Sequence, residues 1–273
     1  MSIFKKISTA WRLAQEHRQM PLHVEFYLTD GCNLNCKGCT HFSPVAPMEF
    51  EPIETLAQSL RHLGKTCGEQ LPEVYLIGGE PLLYPQLAQA CALARECFPH
   101  AEISLFTNAL LIPRLSDEVW KSLHDNNILI SITRYPIAFD YDQAAQICLQ
   151  HEVAVNEFAD RGEANEYFRF PLDQSKSQNA WISHFRCFQY GCLGIHSGKI
   201  FPCSTSACAH RLNAAFGTDF KHEPGDYMLV SEVKSVADLL RFRQRTVPFC
   251  GYCKRYELSD YGPSKREKSE WID

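Results

Sequence analysis

The apolar and polar residues of this chain alternate between two kinds of segment. Short, nearly continuous apolar runs are each followed by a segment of helical length with periodic apolar positions. The predicted strands are residues 23–29, 73–77, 102–107, 128–133 and 152–158, and the predicted helices are residues 53–65, 85–98, 116–126 and 140–151. This alternation predicts parallel β/α units, as in a barrel or part of one, with the chemistry on loops at the carboxyl ends of the strands.

The pattern differs on both sides of this region. An amphipathic helix is predicted over residues 3–18, and a domain boundary is predicted near residue 185, beyond which the alternation does not return. We expect a hairpin over residues 192–202, a loop, a helix over 236–245, and a polar tail, solvated from residue 262 onward. The predicted parts are an N-terminal helix (1–22), the α/β part (23–185), a small C-terminal domain (186–256) that needs a ligand to fold, and the tail (257–273).

Composition excludes several classes of protein. With 45% hydrophobic and 22% charged residues among 273, the chain is expected to be globular. Its 27 Lys and Arg against 32 Asp and Glu give a net charge of −5, which disfavours nucleic acid as a partner. The longest uninterrupted apolar run, residues 90–94, is far shorter than the roughly 20 residues of a membrane span. The first 25 residues lack the apolar core of a signal peptide. We therefore expect a cytoplasmic protein with no membrane partner.

The chain contains thirteen cysteines, which such a protein does not need for disulfides. They concentrate in two groups, Cys32, Cys36 and Cys39, and then Cys187, Cys192, Cys203, Cys208, Cys250 and Cys253. Short spacings of this kind predict metal or iron–sulfur centres.

The first group lies on the loop that follows the first predicted strand. Three thiolates can hold a four-iron cluster and leave one iron open to a substrate or cofactor. A zinc site completed by His41 is the alternative.

The spacing of Cys32, Cys36 and Cys39, with three and then two residues between them, resembles the defining loop of the radical S-adenosylmethionine (radical SAM) enzymes. A second feature of that family is a Gly-Gly-Glu-Pro turn one β/α unit later, and residues 78–81 match it. Glycines allow a ligand to approach the backbone, and a carboxylate can accept from an ammonium group.

This resemblance implies a set of cofactors. The three cysteines would ligate a 4Fe-4S cluster, and SAM would chelate its fourth iron. An electron from a flavodoxin- or ferredoxin-type donor would then cleave SAM to a 5′-deoxyadenosyl radical. The residues implied to contact SAM are Gly78, Gly79, Glu80 and Pro81, together with Asn108 and Ser131. The family's aromatic residue before the third cysteine is replaced here by Gly38, and Phe42 is the candidate to contact the adenine instead.

The second group combines Cys187, ten residues, Gly198, four residues and Cys203 with the later pair Cys250 and Cys253. Four thiols could hold a structural zinc. The spacing instead resembles the twitch domain, a truncated SPASM domain of radical SAM enzymes. The resemblance implies an auxiliary 4Fe-4S cluster held by all four cysteines, acting as an electron carrier. It also implies an α/β fold consisting of a partial (β/α)6 TIM-like barrel followed by a twitch domain built from a hairpin and a helix.

Several other residues are candidates for the chemistry. Cys192 and Cys208 are either hydrogen-atom donors or buried thiols. Glu157 ends the fifth predicted strand, where it could accept a proton. A run without acidic residues, residues 241–256, carries cations that either bind an anionic group of the substrate or offset the cluster charge, namely Arg241, Arg243, Arg245, Lys254 and Arg255.

The expected function is that of a radical SAM oxidoreductase of the dehydrogenase or epimerase type. It would act at a carbinol carbon of a small polar substrate, such as a sugar, an aminocyclitol or a nucleotide-linked sugar. A peptide or protein maturase of the SPASM/twitch type is the first alternative. A noncatalytic iron–sulfur or zinc protein is the second.

Overall fold

One eight-stranded sheet organises the protein, whose computed structural model describes residues 21–157 and 166–273. The helix predicted over residues 3–18 lies outside the described residues. The strand order is β5-β4-β3-β2-β1-β7-β8-β9, and the strands are β1 His23–Thr29, β2 Glu73–Gly78, β3 Glu102–Thr107, β4 Ile128–Ile132, β5 Val155–Glu157, β7 Leu193–His196, β8 Lys199–Phe201 and β9 Met228–Leu229.

Strands β1 to β5 pair in parallel, and helices connect successive strands. The helices are α1 Ile53–Cys67, α2 Leu87–Cys97, α3 Asp117–Asp125 and α4 Tyr141–Gln150. The side chains of Ser116 and Asp140 cap α3 and α4 by accepting from backbone N–H groups. The predicted α/β fold with a mostly parallel sheet is confirmed, consistent with a partial TIM-like barrel.

Alternation along the strands gives the sheet two different faces. On β1, Val24, Phe26 and Leu28 are buried in the hydrophobic core. The opposite face of the same strand carries His23, Glu25 and Tyr27, which are also buried. The sheet therefore has an apolar face and an inner face that includes polar groups.

The hairpin predicted over residues 192–202 is present as β7 and β8, which turn at Ser197 and Gly198. Both turn residues have positive φ, as a two-residue hairpin turn requires. Strand β7 pairs in parallel with β1, opposite Val24 to Phe26. The hairpin is thus an extension of the main sheet.

The loop expected after the hairpin was wrong, because helix α6 covers Ser204–Phe216. The sequence of α6 does not indicate a helix, because polar residues such as Ser206 and Arg211 are buried together with Leu212. A face of this kind lacks the apolar periodicity of an ordinary amphipathic helix. Helix α5, Ala180–Phe185, ends at the predicted boundary, and helix α7, Val236–Arg243, lies in the second region, residues 186–273.

The tail predicted to be solvated is instead packed into the protein. Strand β10, Glu257–Asp260, pairs antiparallel with β6, Glu166–Arg169. Trp271 is 1% exposed, and its indole Nε1 donates to the Cys39 carbonyl at 3.1 Å. The tail therefore braces the cysteine loop. In the part of the chain that the structure describes, no helix is long and apolar enough to cross a membrane.

Replacing Trp271 with Ala is expected to lower the free energy of unfolding by about 3–5 kcal/mol, because a large buried side chain is lost. Trp181, which is 65% exposed, is the matched control. Trp181→Ala should change the free energy of unfolding by less than about 0.5 kcal/mol. Denaturant unfolding measures both. Equal effects of the two substitutions would contradict the packing of the tail.

Candidate active site and metal centres

A cavity of about 260 Å³ opens at the carboxyl ends of β1, β2 and β3. The cysteine loop forms one wall, and the end of β2 and the residues after β3 form another. The predicted residues that line this first cavity are Cys32, Cys36, Cys39, His41, Gly78, Gly79, Glu80 and Asn108.

Two hydrogen-bond donors contact the Cys32 sulfur in the first cavity. The backbone N–H of Leu34 donates to Cys32 Sγ at 3.3 Å, and Asn108 Nδ2 donates to the same sulfur at 3.6 Å. Burial raises the pKa of Cys32 to about 12 and that of Cys36 to about 11. These thiols therefore lose their protons at neutral pH only when a bound cation stabilises the thiolates. A metal centre supplies such a cation.

The glycines of the 78–81 turn let β2 approach the cysteine loop closely. Gly79 N donates to the Thr29 carbonyl at 2.9 Å, and a Cβ at Gly79 would overlap the Gly31 carbonyl. Gly78 has φ +150°, in a region that favours glycine. Packing against the cysteine loop is therefore enough to require glycine at both positions, whether or not a ligand also contacts the turn.

The Glu80 carboxylate holds the ends of β2 and β3 together. It accepts from Thr107 Oγ1 at 2.7 Å, from Asn108 N at 3.0 Å and from Leu82 N at 3.0 Å. A carboxylate has about four acceptor positions, so about one remains for a ligand. Burial raises the pKa of Glu80 to about 7, against the opposing effect of these hydrogen bonds. Pro81 is buried and begins the 3-10 helix Pro81–Leu83, outside the cavity lining.

Two other predicted contacts with SAM lie away from the cavity surface. Ser131 on β4 pairs with Phe106 on β3, so the two side chains share one face of the sheet, and Phe106 lines the cavity. Ser131 itself is buried, and the Ser131 Oγ has no hydrogen-bond partner among the described residues. Phe42 does not occupy the position expected for an adenine contact. Its ring is buried with its edge toward Trp271, at a centroid distance of 6.3 Å.

Tyr167 on β6 occupies the space beside Gly38 instead. A Cβ at Gly38 would overlap the Tyr167 ring, and Gly38 has φ +69°. Tyr135 and Tyr261 line the same cavity, and Tyr261 Oη lies 3.6 Å from Cys36 Sγ. Sequence reasoning missed these tyrosines because Tyr135 lies in the loop after β4, Tyr167 on β6 and Tyr261 in the tail, all outside the recognised motifs. Their aromatic character was the signal available.

His41 is half-buried in the wall of the first cavity. Burial and the nearby Arg211 guanidinium lower the pKa of His41 to about 4, so the ring is neutral near pH 7. Arg211 itself was not predicted. It donates to the His41 carbonyl and to Asp30 Oδ1, both at 2.5 Å, and is 1% exposed. Arg211 thus joins α6 to both ends of the cysteine loop, through a buried ion pair with Asp30 and a hydrogen bond to the His41 carbonyl.

A second cavity, of about 280 Å³, brings together the four cysteines predicted to hold an auxiliary centre. Cys187, Cys203, Cys250 and Cys253 all line it. Burial raises the pKa of Cys187 to about 12. Cys203 is the N-cap of α6, and its Sγ accepts from Ser206 N at 3.4 Å, so the positive end of the helix dipole faces that sulfur.

The lining of the second cavity is strongly cationic. Of the five predicted cations, Arg241 lies outside the lining and pairs with Asp238. Five cations line the cavity, namely Arg186, Arg243, Arg245, Lys254 and Arg255. Cationic side chains in the lining of such a cavity offset the negative charge of bound thiolates.

Aromatic side chains lie between the two cavities. Phe168 lines the first cavity and Tyr256 the second, with ring centroids 5.2 Å apart. Phe188, next to Cys187 in the sequence, lies 4.1 Å from Phe168. The two cavities are therefore neighbours across a wall of packed rings.

The three candidates for hydrogen or proton transfer lie elsewhere. Cys192 directly precedes β7, and Cys208 is buried within α6, both outside the two cavity linings. Glu157 ends β5 and pairs with Ile132. Its side chain lies outside the described part of the structure.

The model of the Radical SAM superfamily matches residues 26–141, which include the cysteine loop and the Gly-Gly-Glu-Pro turn. This part of the chain is therefore a radical SAM domain. Such a domain implies binding of SAM and of one 4Fe-4S cluster, and it supports an enzymatic role.

Two curated relatives are each named GTP 3′,8-cyclase. The protein from Sulfurovum sp. is 22% identical over 107 residues, which cover 39% of this chain and 33% of the relative. The protein from Synechocystis sp. is 26% identical over 268 residues, with coverage of 85% and 74%. The chain thus spans about a third of the length of the first relative.

Similar solved structures include BtrN in complex with AdoMet and 2-DOIA. Its TM-score is 0.46 at 15% identity, over 86% of this chain and 94% of that chain. Native anSMEcpe with bound AdoMet has a TM-score of 0.39 at 19% identity, over 50% of this chain and 44% of that chain.

Proposed function

We propose that the protein is a radical SAM oxidoreductase acting at a carbinol carbon of a small polar substrate, by oxidation or epimerisation. The observation that carries the proposal is the convergence of Cys32, Cys36 and Cys39 with the Gly78–Gly79 turn on one cavity. When bound there, a 4Fe-4S cluster and SAM would supply a 5′-deoxyadenosyl radical, given one electron from a flavodoxin- or ferredoxin-type donor.

The residues of the first cavity would bind SAM and exclude water from it. The turn places its backbone beside the cysteine loop, and Glu80 retains about one acceptor position for an ammonium group. Burial of these groups strengthens each hydrogen bond.

Tyr167 would contact the adenine, since it lies against Gly38 and lines the cavity. Tyr167→Ala is therefore expected to weaken SAM binding about tenfold, or about 1.4 kcal/mol, through loss of the ring contact. Tyr167→Phe should retain wild-type affinity because it keeps the ring. Isothermal titration of anaerobically reconstituted protein measures both, and unchanged affinity of Tyr167→Ala would contradict the assignment.

The second cavity would hold an auxiliary 4Fe-4S cluster as a twitch domain does. Four cysteines would leave none of its irons open, so such a cluster could exchange electrons without binding substrate. Oxidation of a carbinol needs this capacity. Loss of a hydrogen atom and then of a proton leaves one electron to be removed as the carbonyl forms. The neighbouring first cavity and the aromatic wall support a short path for that electron.

The cations around the second cavity favour a substrate that carries a negative charge. They would offset the cluster charge, or would suit an anionic group such as the phosphate of a nucleotide-linked sugar. GTP is included as a probe because both curated relatives are named GTP 3′,8-cyclase.

Formation of 5′-deoxyadenosine by reconstituted protein tests the proposal. SAM and a reductant are supplied with GTP, with a small-molecule fraction of cell extract, or with a macromolecular fraction. Stimulation by the small-molecule fraction, with a carbonyl or epimerised product, is expected. Stimulation only by macromolecules would replace the proposal with a peptide or protein maturase. No product in any fraction, with both clusters verified, would favour a noncatalytic protein.

A further inference from the structure

Three potential metal ligands that neither cavity uses meet on the inner face of the sheet. They are His23 and Glu25 on β1 and Cys192, which precedes β7. One ligand atom from each lies within 4.8 Å of the other two. His23 Nε2 and Glu25 Oε1 are 3.6 Å apart. Ligands of a tetrahedral zinc ion, each about 2.0–2.3 Å from the metal, have separations close to that distance.

The pairing of β1 with β7 brings His23, Glu25 and Cys192 together. Val24 pairs with Leu193 and Glu25 with Gly194 in the parallel ladder. Cys192 therefore lies across from His23 at the start of the same ladder. Residues His23 and Glu25 share a face because side chains alternate along a strand.

The surroundings orient His23 and Glu25 as the outer shell of a metal site does. His23 Nδ1 lies 3.3 Å from the Pro21 carbonyl, which can only accept, so Nδ1 carries a proton. Nε2 is therefore the ring nitrogen that faces Glu25 Oε1 and is free of the Pro21 contact, so it is the one available to a metal ion. Tyr27 Oη donates to the other carboxylate oxygen, Oε2, at 3.2 Å. Metal-ligating histidines and carboxylates usually have such partners.

We propose that His23, Glu25 and Cys192 bind one zinc ion. Histidine nitrogen, carboxylate oxygen and thiolate sulfur are all zinc ligands, and the dication balances one carboxylate and one thiolate in a site where His23 and Glu25 are buried and Cys192 is half-buried. The ion would join β7 to β1 and so tie the second cysteine region to the parallel sheet. His23 and Glu25 lie in the first half of β1, whereas the cysteine loop follows the last residue of that strand.

Metal content of the full-length protein tests this site. Protein is purified and reconstituted without oxygen, and zinc and iron are measured per chain by mass spectrometry. Wild type should contain about one zinc ion in addition to the iron of its clusters. Cys192→Ser and Glu25→Gln should each reduce zinc at least about tenfold while iron is unchanged. Cys148→Ser, which removes a buried thiol on α4, is the control and should retain zinc.

Cobalt(II) gives an independent measurement. Added to zinc-depleted wild type, it should give the absorption of a tetrahedral site with one thiolate, and Glu25→Gln should lose that signal even if Cys192→Ser fails to fold. Zinc-free wild type with full iron content, or equal zinc in the wild type and Glu25→Gln, would overturn the proposal. So would loss of about half the iron in Cys192→Ser, which would make Cys192 a cluster ligand.

Discussion

Replacement of Cys36 by Ala is expected to reduce 5′-deoxyadenosine formation by at least about a thousandfold, equivalent to about 4 kcal/mol of activation free energy. The thiol lies in the first cavity beside Cys32 and Cys39, and two thiolates cannot hold a cluster with a single open iron. Iron content should fall from about eight to about four atoms per chain. Product is measured by chromatography after anaerobic reconstitution.

Cys97→Ala is the matched control for this substitution. Cys97 ends α2, is half-buried and lies outside both cavity linings. Its replacement should leave product formation and iron content unchanged. Normal 5′-deoxyadenosine formation by Cys36→Ala would show that the three-cysteine loop does not hold the reactive centre.

Replacement of Cys253 by Ala is expected to separate SAM cleavage from substrate oxidation. Cys253 lines the second cavity with the three other predicted ligands, so its loss should remove the auxiliary cluster and about four iron atoms. Cleavage of SAM should continue because the first cavity is unchanged. Formation of the oxidised product should fall at least about a hundredfold, about 2.7 kcal/mol, since its electron acceptor is lost. The substrate is whichever small molecule stimulates SAM cleavage by wild type.

The control for Cys253→Ala must exclude unfolding of the second region. Cys253→Ser keeps the size of the side chain and should show the same separation, with the circular dichroism of wild type. Cys208→Ala removes a neighbouring buried thiol and should retain both the second cluster and the oxidised product. Full oxidation by both Cys253 variants would contradict an electron-accepting role for the second centre.

Sequence periodicity predicted the parallel part of the fold because its strands are apolar on one face and its helices are amphipathic. Strands His23–Thr29 and Glu102–Thr107 agree with their predicted ranges residue for residue. The second region was harder to predict because its elements are defined by long-range contacts. Helix α6 buries Arg211 against Asp30, and an isolated sequence shows no reason for a buried arginine.

The residues of the candidate site also fall into two groups, those that local motifs predict and those that only long-range contacts bring to the site. Local spacing identified Cys32, Cys36, Cys39 and the turn at Gly78 and Gly79, because each motif is continuous in the chain. Tyr167 and Trp271 could not be found by that route. They reach the cysteine loop from β6 and from the tail, more than a hundred residues away in the sequence. Only the fold brings them to Gly38 and the Cys39 carbonyl.

Paramagnetic resonance of the reduced protein, with and without SAM, tests the central claim most directly. If Cys32, Cys36 and Cys39 hold a cluster whose open iron binds SAM, one of the two reduced-cluster signals should change when SAM is added. Cys253→Ala should show that SAM-sensitive signal alone. An identical spectrum with and without SAM, in protein with its full iron content, would contradict the account.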